Sequence, residues 1–515
     1  MASPAASVSD ASGEGARIGR WLGRLVDLDF TAPYAFATLA LVYIASRIPW
    51  LDQGYGTDPD AWRVALSAQH LVAEGEYLPS RLPGFPLHEL ATSLIIEGGW
   101  FWTNLSTVLI SLAGVYLFAR LMRELALPHA GVLTLGFAFA PFLWINSVMT
   151  IDYMWALTFI LGAYLALVRR STTVAGVLLG VAAGFRLTSL AMFFPFWLLL
   201  WRSDRREEVF PLTRATVAVF VVVYTPVLVV YGLKFLNFYE ESVPLETVVR
   251  QLGKDGLGVL GALAVLAALA FSFGRLRRLP ADLAHDAHAL AWVAAIVVFV
   301  LAYSWAPHEV AFLIPVFPFG LLLLSRYLTR GVLVAVVAVV IAAGFVDLTA
   351  SEESADIRLS TLTSVRLGKG MLLTDLDTRE DQTDLARDLR RFTAAEVEPG
   401  SSAIVITGSL YPEFAALFED QLRLDILERD LDAISVVSDV SRAVDRGRSI
   451  QFVWLLDLDR FQQLQAEGNE MYYTTDAARG TFALFGYRPG YYGALPLSGA
   501  QGASPLGEGA VPLDR

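Results

Sequence analysis

Two carboxylates and an arginine fall within six residues in the segment Thr57-Asp58-Pro59-Asp60-Ala61-Trp62-Arg63. A carboxylate held beside a substrate hydroxyl can act as a general base, taking the proton as the oxygen attacks. With two so close, one can do this while the other steadies a neighbour or a cation. The same residues also read as a turn, with Asp58 capping the helix that follows, and the sequence leaves both readings open. Downstream lies Tyr77-Leu78-Pro79-Ser80-Arg81-Leu82-Pro83-Gly84-Phe85-Pro86-Leu87-His88-Glu89. Its three prolines stiffen the segment, and Gly84 permits a tight bend. A guanidinium matches phosphate geometry, so Arg81 can clamp a phosphate or snorkel to lipid headgroups. Arg186 interrupts an apolar stretch, and an ionisable group so placed is a functional candidate by default. Asp152, in Ile151-Asp152-Tyr153, joins His88 and Glu89 as a further candidate. His308 and Glu309 sit in the short turn Trp305–Pro315. There His308 can bind a phosphate, position an acceptor, or simply belong to an interfacial turn.

These residues must be positioned by a helical scaffold. Eleven apolar segments occupy the first two thirds: 32–49, 104–122, 130–149, 152–169, 174–186, 188–201, 212–232, 257–275, 289–305, 310–326 and 331–347. A bilayer-spanning helix needs about 17–25 mostly apolar residues. The fifth and sixth are short and Arg-flanked. They fit a pair entering and leaving from one side, with Arg186 at the turn between them. Arg17, Arg20 and Arg24 precede the first segment. Arg120 and Arg123, Arg169 and Arg170, Arg202, Arg205 and Arg206, Arg275, Arg277 and Arg278, and Arg326 and Arg330 follow the even-numbered ones. The positive-inside rule places all of these in the cytoplasm. The other connections, with Asp58, Asp60, Arg81, His88, Asp152, His308 and Glu309, then face outside.

The expected organisation follows. Residues 1–31 form a cytoplasmic N-terminal segment whose following helix is an uncleaved anchor. Residues 32–348 are the transmembrane part, with an external loop at 50–103. In that loop Ala61–Ala73 and Leu87–Gly98 read as helices along the membrane surface, among Trp50, Trp100, Trp102, Trp144 and Trp305 as an aromatic belt. The tail changes character. Val-Ile runs at Ala403–Thr407, Ser435–Val437 and Gln451–Leu456 read as strands, and Tyr411–Glu419 and Leu422–Leu431 as helices. That predicts a small extracytoplasmic α/β domain over 349–488, followed by a disordered tail at 489–515. The fold class is a polytopic α-helical membrane protein of about eleven transmembrane helices, multi-pass in the cell (plasma or inner) membrane.

Composition agrees. The 515 residues are 55% hydrophobic and 17% charged, with mean hydropathy +0.51; soluble domains are about a quarter charged. The net charge of −12 is carried by the tail, where 27 Asp/Glu face 16 Lys/Arg from residue 349 onward. No basic surface is offered to nucleic acid. The absence of Cys excludes disulfides, thiolate metal sites and Cys nucleophiles. Gly256-Leu257-Gly258-Val259-Leu260-Gly261 fits a dinucleotide fingerprint, but no strand precedes it, and close helix packing explains it better. The sequon Asn104-Leu105-Ser106 sits where the chain enters the membrane.

Together the external segments resemble the GT-C class of integral-membrane glycosyltransferases, which includes protein O-mannosyltransferases, the lipid A aminoarabinose transferase and lipid-linked mannosyltransferases. The resemblance covers residues 30–330. Pro59-Asp60 matches the class's Pro-Asp-Glu-like motif, with Ala61 in place of the usual Glu. Pro83-Gly84-Phe85-Pro86-Leu87 matches its Pro-Gly-Tyr-Pro-Leu-like segment. Phe142–Phe159 is similar to its third external turn, and Gly180–Pro195 to its pair of short helices around a basic residue. His308-Glu309-Val310-Ala311-Phe312 is similar to a His-Lys-Glu-x-Arg-Phe motif, with two basic positions missing. The resemblance implies a sugar donor on a polyprenyl phosphate, an acceptor on a lipid, glycan or protein, and inversion at the anomeric carbon. It implies Asp60 or Asp58 as base, and Arg186, Arg81 and His308 on the departing phosphate. It names no cofactor and no metal ligand, and leaves a divalent cation open. A transporter or lipid flippase, and a non-catalytic membrane scaffold, are the rival readings. The first predicts internal repeats and charges near mid-membrane, and neither is evident.

Overall fold

A computed structural model describes residues 26–233, 256–305, 310–350, 365–406, 422–423, 440–445, 448–453, 463–473 and 503–505. All eleven apolar segments fall on helices, though several are broken. The helices of eight residues or more are α1 (Pro33–Ala45), α2 (Pro59–Glu74), α3 (Pro86–Ser93), α4 (Trp100–Glu124), α5 (Ala130–Phe139), α6 (Tyr153–Val168) and α7 (Thr172–Phe185). They continue as α8 (Phe193–Arg202), α9 (Val209–Tyr231), α10 (Val259–Phe271), α11 (Ala287–Trp305), α12 (Val316–Tyr327), α13 (Arg330–Ala343) and α14 (Met371–Glu396).

Two stretches among the described residues are long and apolar enough to cross a membrane alone, α4 and Arg206–Tyr231. Val259–Phe271 and Phe273–His285 qualify together but bend by 65°. The expected eleven full-length spans are therefore mostly shorter or composite. Proline supplies one reason: Pro141 starts a new helix just after α5 ends, and Pro315 separates a 3-10 turn from α12. Large apolar side chains are exposed on α1, α9 and α10, among them Leu41, Val222, Val229, Leu266 and Phe271. An apolar surface of this kind needs lipid rather than water around it, and with the long apolar helices it marks the chain as a membrane protein.

Helix α7 is the pivot of the packing, lying between α6 and α9. Its face toward α9 carries Gly176, Gly180 and Gly184, one turn apart. A Cβ at Gly176 would lie 2.5 Å from the Leu212 carbonyl, and one at Gly180 2.7 Å from Val219 Cβ. Small residues at this spacing let backbones approach closely, and the Thr216 hydroxyl donates across the gap to the Gly176 carbonyl at 3.2 Å. Of the fingerprint-like glycines at 256–261, Gly261 packs against Val340 of α13, and Gly258 stands at the N-cap of α10. Gly258 adopts φ +74° ahead of α10, and Asp347 accepts from the exposed backbone N–H groups of Val259 and Leu260 at 2.7 and 2.8 Å.

Ion pairs tie the basic connections to one end of the bundle. Asp29 pairs with Arg123, Asp27 with Arg330, Glu124 with Arg169, and Asp286 with Arg326. The opposite end gathers the segment 50–103, the turn 147–152 and the start of α14.

The tail begins with an antiparallel pair, β1 (Val346–Ala350) and β2 (Val365–Lys369), which leads into α14. A six-stranded sheet follows: β3 (Ser402–Ile406), β4 (Leu422–Arg423), β5 (Val440–Asp445), β6 (Arg448–Val453), β7 (Glu470–Tyr473) and β8 (Ala503–Pro505), in the order β4-β5-β6-β3-β7-β8. Strand β3 runs parallel to β6 and β7. The runs expected as strands at 403–407 and 451–456 coincide with β3 and overlap β6. Leu422–Arg423, expected to open a helix, instead pair with Ala443 and Arg442. Within 489–515, expected to lack order, Ala503–Pro505 add an edge strand beside Met471–Tyr473. The expected elements Ser435–Val437 and Tyr411–Glu419 lie outside the described residues.

Candidate active site

Asp58 sits at the N-cap of α2, where its carboxylate accepts from the Asp60 N–H at 2.9 Å. Pro59 occupies the first helical position, where its missing donor costs nothing. Asp60 is thereby placed in the first turn of α2, facing Arg81. The Arg81 Nε donates to Asp60 Oδ2 at 2.6 Å, and Arg63 Nη1 to Oδ1 at 2.8 Å. Arg81 also reaches Asp152 Oδ1 through Nη2 at 3.1 Å, while Arg186 holds Asp152 Oδ2 through Nη1 at 2.7 Å. An alternating string results, Arg63–Asp60–Arg81–Asp152–Arg186, drawn from four separate parts of the chain. Asp152 bridges the two guanidiniums, one on each oxygen, and its side chain is fully buried.

Aromatic rings line this string. The Arg81 guanidinium lies 3.9 Å from the Phe85 ring centre, and that of Arg186 lies 3.9 Å from Tyr153 and 4.6 Å from Phe312. Such faces hold a cation in place while leaving its N–H edges available. One edge is available here: Arg81 Nη1 is buried and makes no hydrogen bond. A buried donor left unpaired is costly and is a natural place for an oxyanion. Within the string three guanidiniums face two carboxylates, and the nearby Asp58 carboxylate, which also acts on Arg81, balances the third.

Glu89, a candidate from the sequence, is committed to the loop. Its carboxylate accepts from Tyr77 Oη at 2.5 Å, Ser80 N at 2.6 Å, Ser80 Oγ at 2.5 Å and Phe85 N at 3.3 Å. These contacts fold 77–85 so that Arg81 and Phe85 face the site. Burial raises the Glu89 carboxyl above the usual range, against those hydrogen bonds. The loop then docks on α9, where Tyr224 donates to the Gly84 carbonyl at 3.1 Å. Gly84 has φ +92°, and a Cβ there would meet Val227 at 2.8 Å, so no other residue fits this bend easily.

His88 is buried, its ring edge-on to Trp155 with centres 5.6 Å apart. Burial pushes it down to about 4, so it is neutral at physiological pH. Burial alone would raise Asp60, but the Arg81 and Arg63 guanidiniums outweigh it and hold the carboxyl below the usual range. Arg186 follows the last residue of α7 and adopts an extended conformation, so the close packing of α7 on α9 fixes where its side chain begins. His308 and Glu309 lie outside the described residues. Among the described residues, no group of three or more His, Asp or Glu is placed to hold a metal ion. Sequence reasoning gave Arg63 no role, although its spacing of three from Asp60 on a helix signals a same-face pair.

No family model and no curated protein matches the chain. Among solved structures, it is similar to the crystal structure of ArnT from Cupriavidus metallidurans bound to undecaprenyl phosphate, at 15% identity, covering 73% of this chain and 83% of that one, with a TM-score of 0.49.

Proposed function

We propose that this protein is a multi-pass glycosyltransferase of the GT-C type, moving a sugar from a polyprenyl-phosphate donor to an acceptor hydroxyl on the outer face of the membrane. The observation that carries this reading is the pair of buried arginines, Arg81 and Arg186, bridged by Asp152 beside Asp60, with Arg81 Nη1 unpaired. In the proposed reaction the acceptor oxygen attacks the anomeric carbon, and its proton passes to Asp60. The bond from that carbon to the phosphate oxygen breaks on the opposite side, its electrons leaving with the lipid phosphate. The sugar is inverted. Charge grows on the departing phosphate, where Arg81 and Arg186 are already fixed and need no reorganisation. A carboxylate gripped by two guanidiniums is a weak base. A phosphate bound at Arg81 Nη1 takes up part of that guanidinium's charge without moving it, which weakens its hold on Asp60 and raises the basicity of Asp60 as the donor binds.

The test uses a panel of polyprenyl-phosphate-linked hexoses and pentoses, with release of polyprenyl phosphate as the readout. Asp60→Asn keeps the size and loses the basicity, so turnover is expected to fall by about 10²–10⁴-fold with undecaprenyl phosphate still bound. Asp58→Asn is expected to stay active, because Asn caps a helix about as well as Asp. Arg186→Leu is expected to lose lipid-phosphate binding, and Arg186→Lys to weaken it by removing the guanidinium fork. Full activity in both Asp variants rules out a base in this loop. Transfer of the intact donor between leaflets without cleavage identifies a flippase instead.

A further inference from the structure

Helix α14 belongs to the tail, yet it packs on the two turns that carry the candidate carboxylates. Asp375 accepts from the Thr57 hydroxyl at 2.8 Å, three residues before Asp60. Its other oxygen accepts from Arg379 Nε at 2.9 Å, and Arg379 Nη1 donates to the Val148 carbonyl at 3.0 Å, four residues before Asp152. The two turns also meet directly, Thr150 N–H to the Tyr55 carbonyl at 2.9 Å. From within, Trp62 Nε1 donates to the Gly56 carbonyl at 2.8 Å and Asn104 Nδ2 to that of Gly54 at 2.8 Å. The Arg379 side chain is 0% exposed and that of Asp375 is 4% exposed. A buried ion pair is a poor general source of stability, because desolvation offsets its attraction. Its distinctive property here is directional: it joins one turn to the other.

We infer that Asp375 and Arg379 are positioning residues, a clamp from the tail that holds the Thr57 and Val148 turns together and so sets where the Asp60 carboxylate stands. As a statement about catalysis this rests on the glycosyltransferase reading; as a statement about the two turns it stands by itself. The clamp does not touch Arg81 or Arg186, so it governs turnover more than phosphate binding. A displacement of about 1 Å at a reacting group can cost about 10²-fold in rate.

The test is hydrogen–deuterium exchange on the full-length protein in lipid nanodiscs, comparing the wild type with Thr57→Val, Thr57→Ser and Arg379→Met. Thr57→Val is nearly isosteric and removes only the hydroxyl, so it guards against a folding defect in Arg379→Met. Exchange across 54–60 and 148–152 is expected to rise roughly tenfold in Thr57→Val and Arg379→Met, as loss of a hydrogen bond to a charged group gives, and to return to the wild-type rate in Thr57→Ser. In parallel, kcat for donor cleavage is expected to fall about 10–100-fold, with the Kd for undecaprenyl phosphate unchanged. Unaltered exchange in both turns overturns the clamp, as does a loss of lipid-phosphate binding that tracks the loss of turnover. A wild type inert toward every lipid-linked sugar sinks the glycosyltransferase reading alone, and the exchange rates still decide the clamp.

Discussion

Asp58 and Asp60 sit two residues apart in different settings: one accepts from the Asp60 N–H at the start of α2, the other faces two guanidiniums. Sequence reading identified both and the capping alternative, since Asp-Pro-Asp ahead of an apolar periodicity is a local signal. It could not show that Arg81 and Arg186 share Asp152, because those three positions are brought together only by folding. His88 offers a separate check at this scale. Its imidazole titrates at about 4 when folded and at about 6.5 when unfolded. The unfolded chain therefore binds more protons between those values, so this contribution is complete above pH 6.5 and is lost as the pH falls toward 4. The loss is on the order of 3 kcal/mol. His88→Phe keeps a ring against Trp155 and does not titrate. Thermal unfolding in detergent between pH 4 and 6.5 is expected to depend less steeply on pH in that variant, and an unchanged slope assigns the effect elsewhere.

Among elements, the apolar helices were legible because each is a continuous run of Val, Leu, Ala and Phe. The breaks inside them were less so, since Pro141 and Pro315 divide runs that composition alone joins, whereas the turn at Arg186 is marked by its charge. Helix α14 carries a weaker signal: its 26 residues contain no Gly or Pro and many strong helix formers, but no apolar run marks it. The contact of α7 with α9 yields a prediction in which two effects oppose each other. Alanine is favoured over glycine in a helix by about 1 kcal/mol, so Gly180→Ala would stabilise an isolated α7. In the folded chain the new Cβ would meet Val219 Cβ at 2.7 Å and the Thr216 carbonyl at 2.9 Å. Overpacking costs about 1–3 kcal/mol and is expected to win, lowering the Tm and displacing Arg186. A higher Tm for Gly180→Ala would show that α7 and α9 do not approach this closely.

At the level of the whole molecule, the ion pairs that collect Asp27, Asp29, Arg123, Glu124, Arg169 and Arg330 at one end give the proposed topology a simple test. The chain has no Cys, so a single introduced cysteine reports its own side. A membrane-impermeant maleimide applied to intact cells is expected to label position 53, in the 50–103 segment, and to leave position 204, between α8 and α9, unlabelled until the membrane is opened. The reverse pattern would turn the molecule over and place Asp60 in the cytoplasm.

The clamp between Arg379 and Val148 joins residues 231 positions apart, and this has a consequence for biogenesis. The helices that supply Asp60, Arg81, Asp152 and Arg186 are all made well before α14. At about 5–20 residues per second, α14 follows the Val148 turn by roughly 10–50 s. Until the tail has been translated and docked, the two turns meet only through their own contacts. On the glycosyltransferase reading, a nascent or truncated chain would be inserted before its carboxylates are in place, and lipid-linked sugar would be spared premature cleavage.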